Sequence, residues 1–292
     1  MKSSLLLMVC ALAASATAAA TAGATASAPQ PLQGYHEAAG VPLAARVRQH
    51  ELALASGRII GGVPVNVGAH PYLGGLIITL VDGRTSICGA SLLRPRKALT
   101  AAHCWWDGRA QARLFTVVYG SERLFVGGTR VSTSDVEIHA SFNPVTYAND
   151  IAIITHPYVE YTAYIQPIQP ASGSLTYADT WATAVGYGRS SNEVMSVENS
   201  DKRQVMLHVM TNANCRLTWA TVMIGNGVLC TSSAGGMSVC AGDSGGPLVI
   251  GAGADRTLIG IVSFGADAGC SFGFPAAHTR VTAYSAWIDA RL

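Results

Sequence analysis

Along most of this chain the apolar residues come in short runs broken by turn residues. From residue 59 onward the runs fall at 72–81, 90–93, 98–102, 114–119, 136–139, 151–155, 180–187, 204–210, 227–230, 247–250, 257–264 and 278–281. Gly, Pro, Asn, Asp and Ser separate them, the punctuation expected of short strands in an all-β sandwich or barrel. About a dozen strands over this length fit two six-stranded antiparallel β-barrels packed together better than one sheet. A boundary near 166–174 is reasonable, where Pro167, Pro170 and Gly173 interrupt the pattern. Residues 282–289 have helical spacing instead, with Tyr284, Trp287 and Ile288 on one face, and predict a C-terminal helix.

The first 58 residues are of another kind. Lys2 precedes a short apolar core at 5–12 and a run of Ala, Ser and Thr, which reads as a secretory signal peptide over 1–19, with several cut sites open between Ala16 and Ala28. That core is too short to span a bilayer, and no later stretch reaches about 20 apolar residues. Residues 20–58 mix Ala, Pro and Gln, carry a short helical patch at 36–55, and end Ser56-Gly57-Arg58. The arginine before Ile59-Ile60-Gly61-Gly62 looks like a processing site for a trypsin-like activator, which makes 20–58 an activation propeptide; an ordinary linker is the alternative. The remaining 59–292 form one domain, with barrels of about 59–170 and 171–292.

Composition narrows the classes. Of 292 residues, 49% are hydrophobic and only 12% charged, against roughly 25% charged in ordinary soluble domains. A formal net charge of +2, with no lysine or arginine cluster, gives no nucleic-acid footprint. From Ile59 onward there are two lysines against thirteen arginines. Arginine holds its charge at alkaline pH where lysine does not, which suits an alkaline lumen as well as it suits a biased base composition. Seven cysteines become six once Cys10 leaves with the signal peptide. Cys88 and Cys104, Cys215 and Cys230, and Cys240 and Cys270 are each close enough in sequence to form local clips, but six cysteines allow fifteen pairings and arithmetic cannot choose. No spacing resembles a zinc ligand set, and export agrees with disulfides rather than free thiols.

Three stretches carry chemistry. Cys240-Ala241-Gly242-Asp243-Ser244-Gly245-Gly246-Pro247 is a glycine-dense loop that can aim backbone amides at one spot, and its serine is a nucleophile only if a base serves it. Thr100-Ala101-Ala102-His103-Cys104 puts a histidine at a strand end, and Asn149-Asp150-Ile151-Ala152 puts a carboxylate at the mouth of an apolar run. Such an acid must be paired or hydrogen-bonded. Each alone has a structural explanation; together they give the order His, Asp, Ser known from one arrangement of the serine-protease triad.

On these residues, with Ser263-Phe264-Gly265, the chain from Ile59 to Leu292 resembles the chymotrypsin-like serine proteases, and HPYLGGLIITL at 70–80 with HCWWDG at 103–108 gives it the flavour of insect, lepidopteran digestive members. The resemblance implies that Ser244 attacks the scissile carbonyl, His103 moves the proton and Asp150 orients the imidazole. It implies an oxyanion hole of the Gly242 and Ser244 amides, and an ion pair between Asp243 and the Ile59 α-amine freed by cleavage after Arg58. It places Ser238 at the floor of the specificity pocket, Gly265 and Ala276 on its walls, and Ser263, Phe264 and Gly265 beside the extended substrate. Serine at the floor implies cleavage after Phe, Tyr, Leu or Met. Ala276, where glycine is common, shortens the slot and leaves an elastase-like or collagenolytic enzyme as the neighbouring reading; a catalytically inactive binding homologue is the reading from another class. The implied partners are protein or peptide substrates, a trypsin-like activator and protease inhibitors, with no nucleic acid and no membrane, for a secreted, extracellular monomer. No cofactor is implied and no metal, since the 120–127 loop has one carboxylate where calcium prefers six to eight oxygens. Without a cysteine of its own, the propeptide is expected to leave after cleavage rather than stay tethered.

Overall fold

The computed structural model describes residues 29–55, 67–189 and 201–292; the signal peptide, Arg58 and the Ile59 start lie outside them. The first sheet comprises β1 (Leu73–Leu80), β2 (Thr85–Arg94), β3 (Lys97–Thr100), β4 (Ala112–Tyr119), β5 (Thr129–Thr133), β6 (Val136–Ile138) and β7 (Ala152–Thr155). They pair antiparallel in the order β5-β4-β1-β2-β3-β7-β6. The second comprises β8 (Gln169–Pro170), β9 (Trp181–Gly186), β10 (Arg203–Met210), β11 (Val228–Thr231), β12 (Pro247–Ile250), β13 (Thr257–Phe264) and β14 (Ala276–Arg280). Here β12-β9-β10-β11-β14-β13 closes on itself through a β12–β13 pairing, a six-stranded barrel with β8 added in parallel on β13.

Two barrel-like sheets of the chymotrypsin type are therefore present, the second closed and the first left open by its strand pairings. The expected strand runs lie on observed strands. Two strands carry no apolar run: β8, of two residues, and β5 (Thr-Arg-Val-Ser-Thr), an edge paired only with β4. An edge strand with one face in water need not be apolar. At the C-terminus a 3₁₀ turn at Val281–Tyr284 leads into a short helix (Ser285–Asp289), within the expected helical span.

The N-terminal segment is folded onto this body. A π-helical turn (His36–Gly40) runs into α1 (Val41–Ala55), where the helical patch is expected. Its residues are mostly good helix formers, and Leu43, Ala44, Val47 and Glu51 fall on one face at helical spacing. That face is inward: all four are buried, and the three apolar ones join the hydrophobic core shared by both sheets. Burying the Leu43 and Val47 side chains is worth about 2 kcal/mol each.

Candidate active site

The three chemical stretches converge where the two sheets meet. His103 lies in a 3₁₀ turn (Ala102–Cys104) just after β3, pinned by the Cys88–Cys104 disulfide. Asp150 directly precedes Ile151 and β7, and since β3 pairs with β7 the histidine and carboxylate are brought together by strand pairing. The Asp150 carboxylate accepts the His103 backbone N–H at 2.9 Å and faces Nδ1 at 2.8 Å. It also accepts the Ser263 hydroxyl at 2.6 Å, while the Thr279 hydroxyl donates to the Asp150 backbone carbonyl at 2.6 Å. His103, Asp150 and Ser263 are all buried, so the carboxylate takes its donors from protein groups rather than bulk water. Ser263, expected along the substrate's course, thus also orients the carboxylate; Thr279 carried no signal in the sequence.

Ser244 enters from the other sheet on the loop before β12. Its carbonyl accepts the Gly89 N–H of β2 at 2.7 Å, which stitches the loop to the first sheet. Gly245 follows at φ 77°, a left-handed backbone where a Cβ would meet Thr100 Oγ1 at 2.2 Å, so both the turn and the space call for glycine. Asp243 is partly buried, and its two oxygens accept Gly188 N–H and Cys240 N–H, each at 2.9 Å. Burial pushes its carboxyl up to about 6, opposed by those two donors.

A cavity of about 450 Å³ opens beside Ser244, lined by Ser238, Gly265 and Ala276 among others. Ser238 accepts a hydrogen bond from Ser233 at 3.0 Å. Phe264 packs against Tyr147 and Trp219, and Trp105 against Phe115, which makes Trp105 a cover on the first sheet. The Cys215–Cys230 and Cys240–Cys270 disulfides tie the loops around the second sheet. His103 Nε2 is 3.8 Å from Cys104 Sγ, but both cysteines beside it are in a disulfide and offer no thiolate to a metal.

Among the described residues no hydrogen bond joins Ser244 to His103, and the N-terminal segment occupies this place. The Tyr35 ring stands edge-on to His103 at 5.0 Å, and its hydroxyl neighbours Ser244, donates to Ile87 O at 2.7 Å and accepts Gly242 N–H at 3.2 Å. Tyr147 packs on His103 from another direction, centroids 5.5 Å apart. Neither tyrosine is foreshadowed by a motif; Tyr35 precedes the helical patch of a segment read only as a leader to be removed.

The family model described as Trypsin matches residues 59–288, and the chain belongs to this family of serine endopeptidases. It is 39% identical to a collagenase of Hypoderma lineatum over 81% of this chain and 88% of the relative. It is 35% identical to brachyurin of Leptuca pugilator over 79% and 97%, and 31% identical to an alkaline trypsin, trypsin C, of Manduca sexta over 80% and 90%. A solved HL collagenase structure superposes with a TM-score of 0.71 at 37% identity, covering 80% of this chain and 98% of that one.

Proposed function

We propose that this chain is the secreted zymogen of an endopeptidase that cuts after large apolar or aromatic residues, working outside the cell in a digestive lumen. Ser244 Oγ attacks the scissile carbonyl as His103 Nε2 takes its proton, and the imidazolium then gives that proton to the leaving amine. Asp150, with its Ser263 and backbone donors, holds Nδ1–H and offsets the charge. Gly242 and Ser244 amides receive the oxyanion, a contribution worth roughly 10²–10³ in rate per donor. The Asp150–His103 pair at 2.8 Å is the observation that carries the reading. The neutral Ser238 and Ala276 lining of the cavity supports the preference.

Activation is by a cut after Arg58. The Ile59 α-amine then pairs with Asp243, a partly buried carboxylate met by two backbone N–H groups and by no cation among the described residues. The test is hydrolysis of peptides carrying Phe, Leu, Ala or Arg before the scissile bond, before and after limited trypsin, with Ser244→Ala alongside. Cleavage after Phe or Leu, only with an Ile59 start and absent in the variant, supports the reading. A preference for Ala, or digestion of native collagen, moves it to the elastase-like or collagenolytic alternative, the latter favoured by the name of the Hypoderma relative. No turnover from an Ile59-started chain that has been stripped of its N-terminal segment sinks it and revives the inactive homologue.

A further inference from the structure

We propose that residues 29–55 are a built-in inhibitor of this protease, which docks in the active-site cleft along the substrate's course and keeps hold of it, without a covalent link, after the cut at Arg58. The inference rests on the catalytic reading above. Gln30 to Leu32 lie antiparallel to the 265–267 segment just after β13: Asp267 N–H donates to Gln30 O at 3.0 Å and Leu32 N–H to Gly265 O at 3.4 Å, with an isolated Pro31–Ala266 bridge between. This is strand addition at the edge proposed to hold extended substrate. The Tyr147 hydroxyl fixes Leu32 O from the other side.

The segment then departs from a substrate's path. Gly34 takes φ 64°, a left-handed bend that suits glycine, and the chain turns into helix at Tyr35 and His36. Among the described residues no extended peptide bond is laid against Ser244. In its place the Tyr35 phenol hydroxyl accepts the Gly242 N–H, the donor assigned to the oxyanion, and its ring leans on His103. A phenol has no carbonyl to attack and no bond to cleave, so the cleft is filled by a group it cannot process.

The rest of the segment supplies the grip. His36 is fully buried, its N–H donating to Asp107 Oδ2 at 2.8 Å and its Nδ1 facing Ser86 Oγ at 2.9 Å. Leu43 and Val47 are buried, and Leu43 reaches the Gly242 backbone. At the far end the Glu51 carboxylate accepts Leu124 N–H at 2.8 Å and Phe125 N–H at 2.6 Å, taking up the loop after β4. No cysteine lies in 20–58, so this hold is entirely non-covalent.

The test separates binding from catalysis. The Ser244→Ala chain is cut once at Arg58, verified by N-terminal sequencing, and passed over a gel-filtration column under native conditions. A fragment that co-elutes supports the proposal; one that elutes alone overturns it. In parallel, wild-type enzyme stripped of the fragment is assayed with a synthetic peptide of residues 29–58. Competitive inhibition is expected, weakened roughly tenfold by Tyr35→Phe, which removes two hydrogen bonds in the cleft, and by Glu51→Ala, which removes two outside it. A peptide that is consumed as substrate, or whose potency ignores both changes, overturns the proposal. Co-elution with an enzyme that stays inactive once stripped upholds the docking and fails the catalytic reading instead.

Discussion

At the scale of single residues the site depends on donors whose hold on the carboxylate no motif marks. Asp150 keeps its orientation through Ser263 as well as His103, so Ser263→Ala is expected to lower kcat about tenfold, with KM moved less, the worth of one hydrogen bond to a charged group. Steady-state kinetics on one apolar peptide reads it. Ser238→Asp is expected to move the preference before the scissile bond from Phe and Leu toward Arg and Lys, since it puts a carboxylate where the cavity has the neutral Ser238 and Ala276; the ratio of kcat/KM values for matched Phe and Arg peptides checks it. His278 gives a pH prediction. It is fully buried, with Nε2 on the Thr231 hydroxyl and Nδ1 unpartnered, and burial pushes its pKa down to about 3. Unfolded, the ring takes a proton near 6.5, so its contribution is whole above that pH and is lost as pH falls toward 3. By pH 5 the loss is about 2 kcal/mol. Asp243 works the other way, because its raised carboxyl gains stability as pH falls through about 6. Urea unfolding at pH 7 and pH 5 should therefore show a smaller acid loss in His278→Gln than in the parent.

Among elements, α1 decides which arginine an activator meets first. A protease needs extended backbone, and Arg46 and Arg48 sit within a helix anchored by Leu43, Val47 and Glu51. Limited trypsin should cut after Arg58 before either; Ala44→Pro, which breaks the helix at about 3 kcal/mol, should bring cuts at 46 and 48 forward, as N-terminal sequencing would show. The strands were largely legible because burial on a pleated face imposes apolar runs, and α1 because its apolar residues recur at helical spacing. The polar edge β5 was not, since one open face relaxes the pattern. Local sequence marked His103, Asp150 and Ser244, while Thr279 and Tyr147 reach the site only through the tertiary fold. Docking of the N-terminal segment was the largest thing unread: Gly34, Tyr35 and Glu51 acquire meaning only opposite Gly265, Gly242 and the 124–125 amides, which lie far away in sequence.

Over the whole molecule, the site is assembled across a seam. His103 and Asp150 come from the first sheet and Ser244 from the second, joined by Gly89–Ser244, Ser263–Asp150 and Thr279–Asp150 contacts. The three disulfides span 16, 15 and 30 residues and none crosses from one sheet's strands to the other's. In rising denaturant, activity should therefore fade before far-UV circular dichroism reports loss of either sheet. Alkali offers a second whole-molecule check. The Ile59 amine proposed to pair with Asp243 has a free pKa of about 8, raised by that pair and lost as pH climbs through the raised value. Activity of the cut enzyme should fall there and recover on return to neutral pH; a rate that stays flat to about pH 11 contradicts that dependence.

The cysteine-free N-terminal segment has one more consequence. Before the cut, α1 and the cleft belong to one chain, and their encounter is set by an effective molarity that no outside volume alters. A single hydrolysed bond turns that into an ordinary two-body equilibrium, with occupancy governed by how much protease shares the solution. Crowded together in a store, cut molecules would hold one another silent. Released into a larger volume they would come alive without further chemistry, so the moment of activity would be timed by dilution rather than by the activator alone.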